Sequence, residues 1–301
     1  MRTRRLGTSE LTVSVVGLGC NNFGRRVDET GTRAVVDAAL DAGVTFLDTA
    51  DIYGTGQSET LLGRVLQGRR DRVVLATKWG KSMSDGAERR GRRDYIRQAI
   101  DASLARLQVE QVDLYQHHEE DPDTPLEETV GAMKELYDEG KIRAFGTSNY
   151  APATLARTAE LAASLGVPYA SEQSEYSWLE RGAEAELLPA CERLGLGFIP
   201  FFPLASGLLT GKVTRAQPPA PGTRLHGRNI DDTELARVEA LTAWAKAHGL
   251  SLLDVAIGGL AAQPAVASVI AGATKPEQVR ANAKAGEWEP SPAELAELVA
   301  L

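Results

Sequence analysis

The sequence predicts an α/β fold, a single (β/α)8 TIM barrel over residues 1–301, with an N-terminal β-hairpin and a long loop after the seventh strand. Three observations carry this expectation. Short apolar or β-branched runs alternate with longer amphipathic stretches, giving eight strand–helix units in 301 residues. Most of the runs are nearly continuously apolar, as in a parallel sheet covered by helices. The first strand's turn, Gly17-Leu18-Gly19-Cys20-Asn21-Asn22, has Asn22 where the Gly-rich fingerprint of an open doubly wound sheet needs its third glycine.

In chain order, residues 2–5 and 11–13, joined through Gly7-Thr8-Ser9, read as a hairpin ahead of the barrel. Strands are expected at 13–18, 44–47, 73–77, 112–116, 144–147, 169–173, 197–201 and 266–270. Residues 30–42 carry Ala34, Val35, Ala38 and Ala39 at helical spacing and stop at Gly43. Residues 93–107 form a second such stretch. The third, 125–138, opens on a proline followed by acids and ends before Gly140. Stretches 154–165, 183–194 and 276–285 follow the same pattern. Residues 203–229 hold Pro218, Pro219 and Pro221 and lack helical period over most of their length. A loop that long inside a compact domain is read as functional.

Composition narrows the function. With 43% hydrophobic and 25% charged residues the chain is not disordered. Its 33 Lys and Arg against 41 Asp and Glu give a net charge of −8, which argues against nucleic acid as a partner. The short basic clusters at 69–72 and 89–93 read as solvated faces. Cys20 and Cys191 make neither a disulfide framework nor a metal-type spacing. No apolar run approaches the roughly 20 residues of a bilayer crossing, and no apolar stretch follows the basic start, so a cytoplasmic protein that does not enter membranes is expected.

The strongest signal is positional. Asp48 follows the second apolar run and Tyr53 lies in the loop beyond it; Lys78 follows the third, His117 and His118 the fourth, Ser148 and Asn149 the fifth, and Gln173 ends the sixth. In a (β/α)8 barrel these strand ends converge on the face where active sites are built. Asp48, Tyr53, Lys78 and His118 make chemical sense together. A free phenol titrates near pH 10, and a nearby ammonium lowers that value. Lys78 supplies the ammonium, Asp48 holds it, and His118 donates to a carbonyl oxygen. Tyr53 then protonates the alkoxide formed when hydride reaches carbon. No side chain delivers hydride, so this reading requires a nicotinamide cofactor.

The string Leu47-Asp48-Thr49-Ala50-Asp51-Ile52-Tyr53-Gly54, continued by Gly56, Ser58 and Glu59, resembles the aldo-keto reductase signature. So do Asp113-Leu114-Tyr115-Gln116 with His118, Gly140-Lys141-Ile142-Arg143 and Gly146-Thr147-Ser148-Asn149-Tyr150. Gly207-Leu208-Leu209-Thr210-Gly211-Lys212 is similar to the family's loop after the seventh strand. The segment from Val269 to Gln278 is similar to its last cofactor-binding segment. The matches run in order from about Gly17 to Asn282. The resemblance implies NADPH, with NADH the lesser alternative, reducing aldehydes or ketones without a metal. It makes Asp48, Tyr53, Lys78 and His118 the catalytic tetrad, with Ser148, Asn149 and Gln173 on the nicotinamide carboxamide and Phe201 against its ring. Gly19 is implied as cofactor-binding, Leu204, Ser206 and Gly207 pass beneath the pyrophosphate, and Gly272, Ala273, Thr274, Gln278 and Asn282 surround the adenosine end. Asn21, Trp79 and Glu119 are taken as lining the substrate pocket, which loops 81–92 and 204–228 and the segment after Asn282 shape. Relatives that grip a 2′-phosphate often carry a cation at the positions of Gly272 or Gln278; here the nearby cations are Lys275 and Arg280.

Other readings stand beside these. Asp48 alone reads equally as a turn residue, and Lys78 as a surface lysine or a Schiff-base nucleophile. Of the adjacent His117 and His118, which strand geometry points to opposite faces, one is outward packing. Trp79, Trp178 and Phe23 read equally as loop packing. A cofactor-sensing barrel resembling the potassium-channel β-subunits is the alternative to an enzyme. Oligomeric state is not legible.

Overall fold

The computed structural model describes residues 1–81, 90–215 and 217–301. The hairpin strands are β1 (Thr3–Arg5) and β2 (Thr12–Ser14). The sheet strands are β3 (Val16–Gly19), β4 (Phe46–Asp48), β5 (Val74–Trp79), β6 (Val112–His117), β7 (Ile142–Ser148), β8 (Tyr169–Glu175), β9 (Gly197–Phe201) and β10 (Val269–Gly272). They pair in parallel in the order β10-β3-β4-β5-β6-β7-β8-β9. The ring closes where Phe198 N donates to Ala265 O at 2.7 Å and Ala267 N donates to Phe198 O at 2.9 Å. This is the expected (β/α)8 barrel with its hairpin. Most strand boundaries shift from expectation by one or two residues, and those of the first and last strands by three. Val13 belongs to the hairpin, and the last strand starts at Val269, because residues 266–267 make the closing bridge instead.

The helices are α1 (Glu29–Asp41), α2 (Gln57–Val65), α3 (Arg93–Leu107), α4 (Leu126–Asp138), α5 (Pro152–Leu165), α6 (Leu187–Leu194), α7 (Asp232–Ala247), α8 (Leu252–Asp254), α9 (Pro276–Ala285) and α10 (Pro292–Ala300). Local signals explain several ends. The Asp28 carboxylate accepts from Gly31 N at the start of α1, and α5 stops at Gly166 in the left-handed conformation. Reciprocal side-chain caps start α7 (Asp231 with Glu234) and α10 (Ser291 with Glu294). The stretch expected as one helix over 183–194 begins as a 3-10 turn, Gly182–Glu184, before α6. After α8 the chain continues as a π-helix, Val255–Gly259, whose Val255 carbonyl accepts from Trp178 Nε1 at 2.8 Å. Trp178 and Phe23 are therefore core packing, at 1% and 0% exposure. Among the described residues no helix is long and apolar enough to cross a membrane.

Two arginines correct the solvated reading of the basic clusters. Arg70 pairs with the buried Asp113 at 2.6 Å, and Arg90 is buried against Tyr95. Residues 82–89 of the loop expected to shape the pocket lie outside the described residues.

The barrel interior is layered. Leu6, Leu11 and Val13 of the hairpin plug its N-terminal end, packed with Phe46, Ala76, Leu114, Ala144, Ala170, Ile199 and Ile270. Strand side chains alternate faces, so the next inward positions are Asp48, Lys78 and Gln116, each two residues on. On β8 the spacing is three. A register shift between Phe145 and Gly146 leaves Ala170 as an extra residue, and this bulge turns Gln173 inward. An apolar plug thus lies under a polar layer facing the C-terminal strand ends.

Gly7, at φ +58°, is where the hairpin turn meets the barrel bottom. A Cβ there would lie 2.6 Å from both the Ala170 and the Gly195 carbonyl oxygens. Replacing it combines left-handed strain with backbone overlap, so Gly7→Ala is expected to cost about 1–3 kcal/mol of stability. Urea unfolding of the two chains measures this; an unchanged midpoint would show that the hairpin does not plug the barrel.

Candidate active site

The polar layer is an ion pair held in a hydrogen-bonded cage. Lys78 Nζ donates to Asp48 Oδ2 at 2.5 Å and to Thr49 O at 3.0 Å, and the two side chains are 0% and 1% exposed. The other oxygen, Asp48 Oδ1, accepts from Gln116 Nε2 and Gln173 Nε2, both at 3.0 Å. Burial works against the Lys78 ammonium, but Asp48 and Tyr53 outweigh it and hold its pKa above the usual lysine value. An amine so pinned and protonated is a poor Schiff-base nucleophile.

Above this pair, Tyr53 and His118 face each other edge to face, with ring centroids 5.9 Å apart. Lys78 Nζ lies 5.2 Å from the centroid of the Tyr53 ring. The four residues expected as one unit are thus brought together. The expected direction of the phenol's shift is corrected. Burial raises the Tyr53 pKa above its ordinary 10.0, and Lys78 opposes this without overcoming it. His118 is pushed down to about 2, by burial first and then by Lys78, Lys81 and His117. At neutral pH the site therefore presents a protonated phenol and a neutral imidazole.

The loop carrying Tyr53 is fixed from behind. Asp51 N donates to Lys78 O at 3.1 Å, and Ser58 Oγ bonds Thr49 Oγ1 at 2.8 Å and Cys20 O at 2.9 Å. Glu59, fully buried, accepts from Thr77 Oγ1 at 2.5 Å and Arg106 Nε at 2.7 Å. His117 faces outward, stacked on Trp79 with centroids 4.7 Å apart and bonded through Nδ1 to Tyr150 OH at 2.7 Å. Trp79, expected in the substrate pocket, lies instead in the helix-side layer between His117 and Tyr115. Its neighbour Lys78 points inward, so Trp79 on the same strand points outward. Glu119 is exposed in the loop after β6.

The remaining expected residues ring the mouth. Gly19 and Gly272 pair across β3 and β10, leaving bare backbone at the barrel top. Ser148 and Gln173 are buried at adjacent strand ends, 1% and 2% exposed. The Asn149 amide donates to His118 O at 3.1 Å and Ser148 Oγ at 3.0 Å. Phe201 ends β9 and meets Phe202 edge on, 5.2 Å between centroids. Beyond Leu204, the residues Ala205, Ser206 and Gly207 all have positive φ, and nothing lies within 4 Å of a Cβ built on Gly207. Ala205 N donates to Phe202 O at 2.9 Å and Gly207 N to Leu204 O at 2.8 Å, which fixes the turn. Gln278 Oε1 accepts from Thr274 N at 2.7 Å and Lys275 N at 3.2 Å, capping α9, while Ala273 and Asn282 are buried beside it.

Residues that sequence reasoning missed complete the site. Gln116 was signalled by its inward position, two residues after Leu114. Arg224 bonds both Asn21 Oδ1 (3.1 Å) and Asn22 Oδ1 (3.2 Å), fastening the long loop across the β3 turn. Its proline-rich surroundings gave no register from which to place it. The pairing of Glu59 with Arg106 joins residues 47 positions apart, a contact no local pattern encodes.

Asp51 yields a pH test. Burial and then Glu59 raise its pKa from 3.8 to about 7. Unfolded, the same carboxyl ionises near 3.9. Between those values the folded chain keeps a proton that the unfolded chain releases, so stability falls as pH rises from about 4 to about 7. Asp51→Asn removes that slope. The variant's Tm is expected to exceed the parent's by several degrees at pH 8 and to match it near pH 4. Scanning fluorimetry across this range checks it, and a pH-independent difference would refute the linkage.

Comparison with known proteins agrees with this geometry. The Aldo/keto reductase family profile matches residues 15–301. The chain is 35% identical over 289 residues to an uncharacterized oxidoreductase, YqkF, of Bacillus subtilis (strain 168), covering 95% of this chain and 91% of that protein. It is 36% identical over 301 residues to a probable voltage-gated potassium channel subunit beta of Oryza sativa subsp. japonica, with the same coverage of 95% and 91%. The chain belongs to the aldo/keto reductase family and is an NAD(P)H-dependent oxidoreductase.

Proposed function

We propose that this protein reduces aldehyde or ketone carbonyls to alcohols, using NADPH in preference to NADH. The observation that carries the reading is the buried Lys78–Asp48 pair lying beneath Tyr53 and His118 at the barrel mouth. The residues present fit a dinucleotide. Nothing fills the space beside Gly207, on the loop that would run beneath a pyrophosphate, and Ser148, Asn149 and Gln173 offer amide and hydroxyl partners to a carboxamide. Lys275 and Arg280, exposed at the start of α9, supply positive charge for a 2′-phosphate. When bound, reduced nicotinamide supplies the hydride.

The chain's own residues do the rest. Neutral His118 donates a hydrogen bond to the carbonyl oxygen and orients it. Tyr53 gives its proton to that oxygen as negative charge develops there, and Lys78 stabilises the phenolate left behind. Asp48, caged by Gln116 and Gln173, keeps the ammonium in place. The raised phenol pKa keeps Tyr53 loaded throughout the physiological range, and an alkoxide is basic enough to take the proton.

Tyr53→Phe is expected to lower kcat about 10²–10⁴-fold while leaving nucleotide affinity within about threefold. Lys78→Met should lower kcat comparably, since it removes the phenolate's counter-charge. Stopped-flow oxidation of NADPH with a panel of aldehydes and ketones measures both; full turnover by Tyr53→Phe would remove the proton-donor role. On the cofactor, kcat/KM is expected to be at least about tenfold higher with NADPH than with NADH, and equal values would refute the preference. The likeness to a potassium channel subunit beta supports a second reading, a cofactor-sensing barrel, which predicts tight nucleotide binding with turnover too slow to measure across that panel.

A further inference from the structure

On the outer side of β7 and β8, away from the tetrad, lies a fully buried carboxylate that the mechanism above does not use. Because Gln173 points into the barrel, its neighbour Glu172 points the other way. Glu172 Oε2 accepts from Thr147 Oγ1 at 2.5 Å, and Glu172 Oε1 accepts from Ser174 Oγ at 2.7 Å and Tyr150 N at 3.2 Å. All of these donors belong to the ends of β7 and β8 or to the turn between β7 and α5.

That turn is left-handed at one residue. Asn149 sits at φ +61°, in the region that asparagine enters more readily than other residues with a side chain, so the contacts around the turn decide how firmly it is held. Asn149 N donates to Gln173 O at 3.1 Å. On the outer side, Glu172 holds the turn through Tyr150 N and the end of β7 through Thr147 Oγ1. We infer that Glu172 is a positioning residue: its carboxylate locks the left-handed Ser148–Asn149–Tyr150 turn from behind, so that Ser148 and Asn149 face the nicotinamide carboxamide. The inference rests on the cofactor reading proposed above and assigns that cradle its support.

Its ionisation bears on this role. Hydrogen bonds to an ionised carboxylate are the stronger ones, so protonation of Glu172 weakens those it accepts. Burial pushes the Glu172 pKa to about 7, against the hydrogen bonds from Thr147, Ser174 and Tyr150. The titratable groups around it are Tyr169 on its own strand, Tyr150 at the end of the turn and Cys191 on α6; Glu120 and Asp121 act on Tyr150 from the loop after β6. Burial raises the pKa of Tyr169, Tyr150 and Cys191, so all three stay neutral near pH 7 and Glu172 is the group that titrates. As pH falls through about 7 the lock loosens and nucleotide affinity falls.

The test is nucleotide affinity by fluorescence titration from pH 6 to pH 8, with NADPH and with NADH, since only NADPH carries a phosphate monoester titrating near 6. Glu172→Gln is expected to raise Kd about tenfold at pH 8 and about twofold at pH 6, where the parent is itself largely protonated. Its kcat at saturating nucleotide should fall by less than Kd rises. Thr147→Val removes one donor from the carboxylate, so it should move the midpoint of the parent's affinity curve to higher pH; this arm stands even if Glu172→Gln does not fold. Parent-like affinity in Glu172→Gln, or an unmoved midpoint in Thr147→Val, overturns the inference alone. Failure of the unaltered chain to bind either nucleotide overturns the cofactor reading and this inference with it.

Discussion

The site depends on keeping one positive and one negative charge inside a barrel. Removing Lys78 and Asp48 from water costs several kcal/mol per ion, and attraction between them offsets this only if their other hydrogen-bonding atoms are also satisfied. The structure meets that condition from several directions. Thr49 O accepts a hydrogen bond from the ammonium, while Gln116 and Gln173 donate to the second carboxylate oxygen. Each partner needs a particular inward position. Lys78 and Gln116 get theirs from ordinary strand alternation, Gln173 gets its position from a bulge, and Thr49 contributes backbone. The apolar plug below, from Leu6 to Ile270, excludes water from the underside of the pair. Such a pair contributes little net stability; what it supplies is a fixed positive charge at a known place.

That charge acts on a phenol whose surroundings pull the other way. Burial favours the neutral form of Tyr53, and Lys78 favours the ionised form. In the resting protein burial prevails, which leaves the acid loaded rather than already spent. In the proton transfer proposed above, the phenolate would appear only after the proton has left, when a cation 5.2 Å from the ring centroid is worth most in a dry site. The stabilisation would then be concentrated on the reacting state. The low pKa of His118 keeps a second cation away from Lys78, sparing the buried site a like-charge repulsion.

Much of this is legible in the sequence because barrel periodicity converts position into direction. Once Val44–Leu47 reads as a strand, Asp48 falls at the mouth, and the same logic places Lys78, His118 and Ser148. The logic fails where the backbone departs from strict alternation or where partners are distant. No pattern announces the Ala170 bulge. The pocket position expected for Trp79 fails on alternation itself, since adjacent Lys78 already takes the inward direction on that strand. Helix α7 leaves little trace in the sequence because its apolar face is thin: Val238, Leu241 and Ala245 are its buried residues. The sign of the Tyr53 shift escapes for a different reason. The charge of Lys78 is visible in the sequence, whereas the amount of water excluded from the phenol is a property of the assembled mouth.

The barrel wall and the long loop divide the remaining work by how they are held. The wall is a closed ring of backbone hydrogen bonds, so the tetrad rides on the most strongly coupled part of the molecule. The loop after β9 is anchored near its start by the buried Leu208 and Leu209 and later by Leu225. Between those anchors it reaches the β3 turn through polar contacts, Arg224 to Asn21 and Asn22 and Arg26 Nη2 to Gly222 O at 3.2 Å. Exposed hydrogen bonds of this kind exchange with water at little net cost, whereas the ring cannot open without losing its core. A chain built this way keeps the arrangement of Asp48, Tyr53, Lys78 and His118 fixed while the loop's sequence stays free of the barrel's packing constraints.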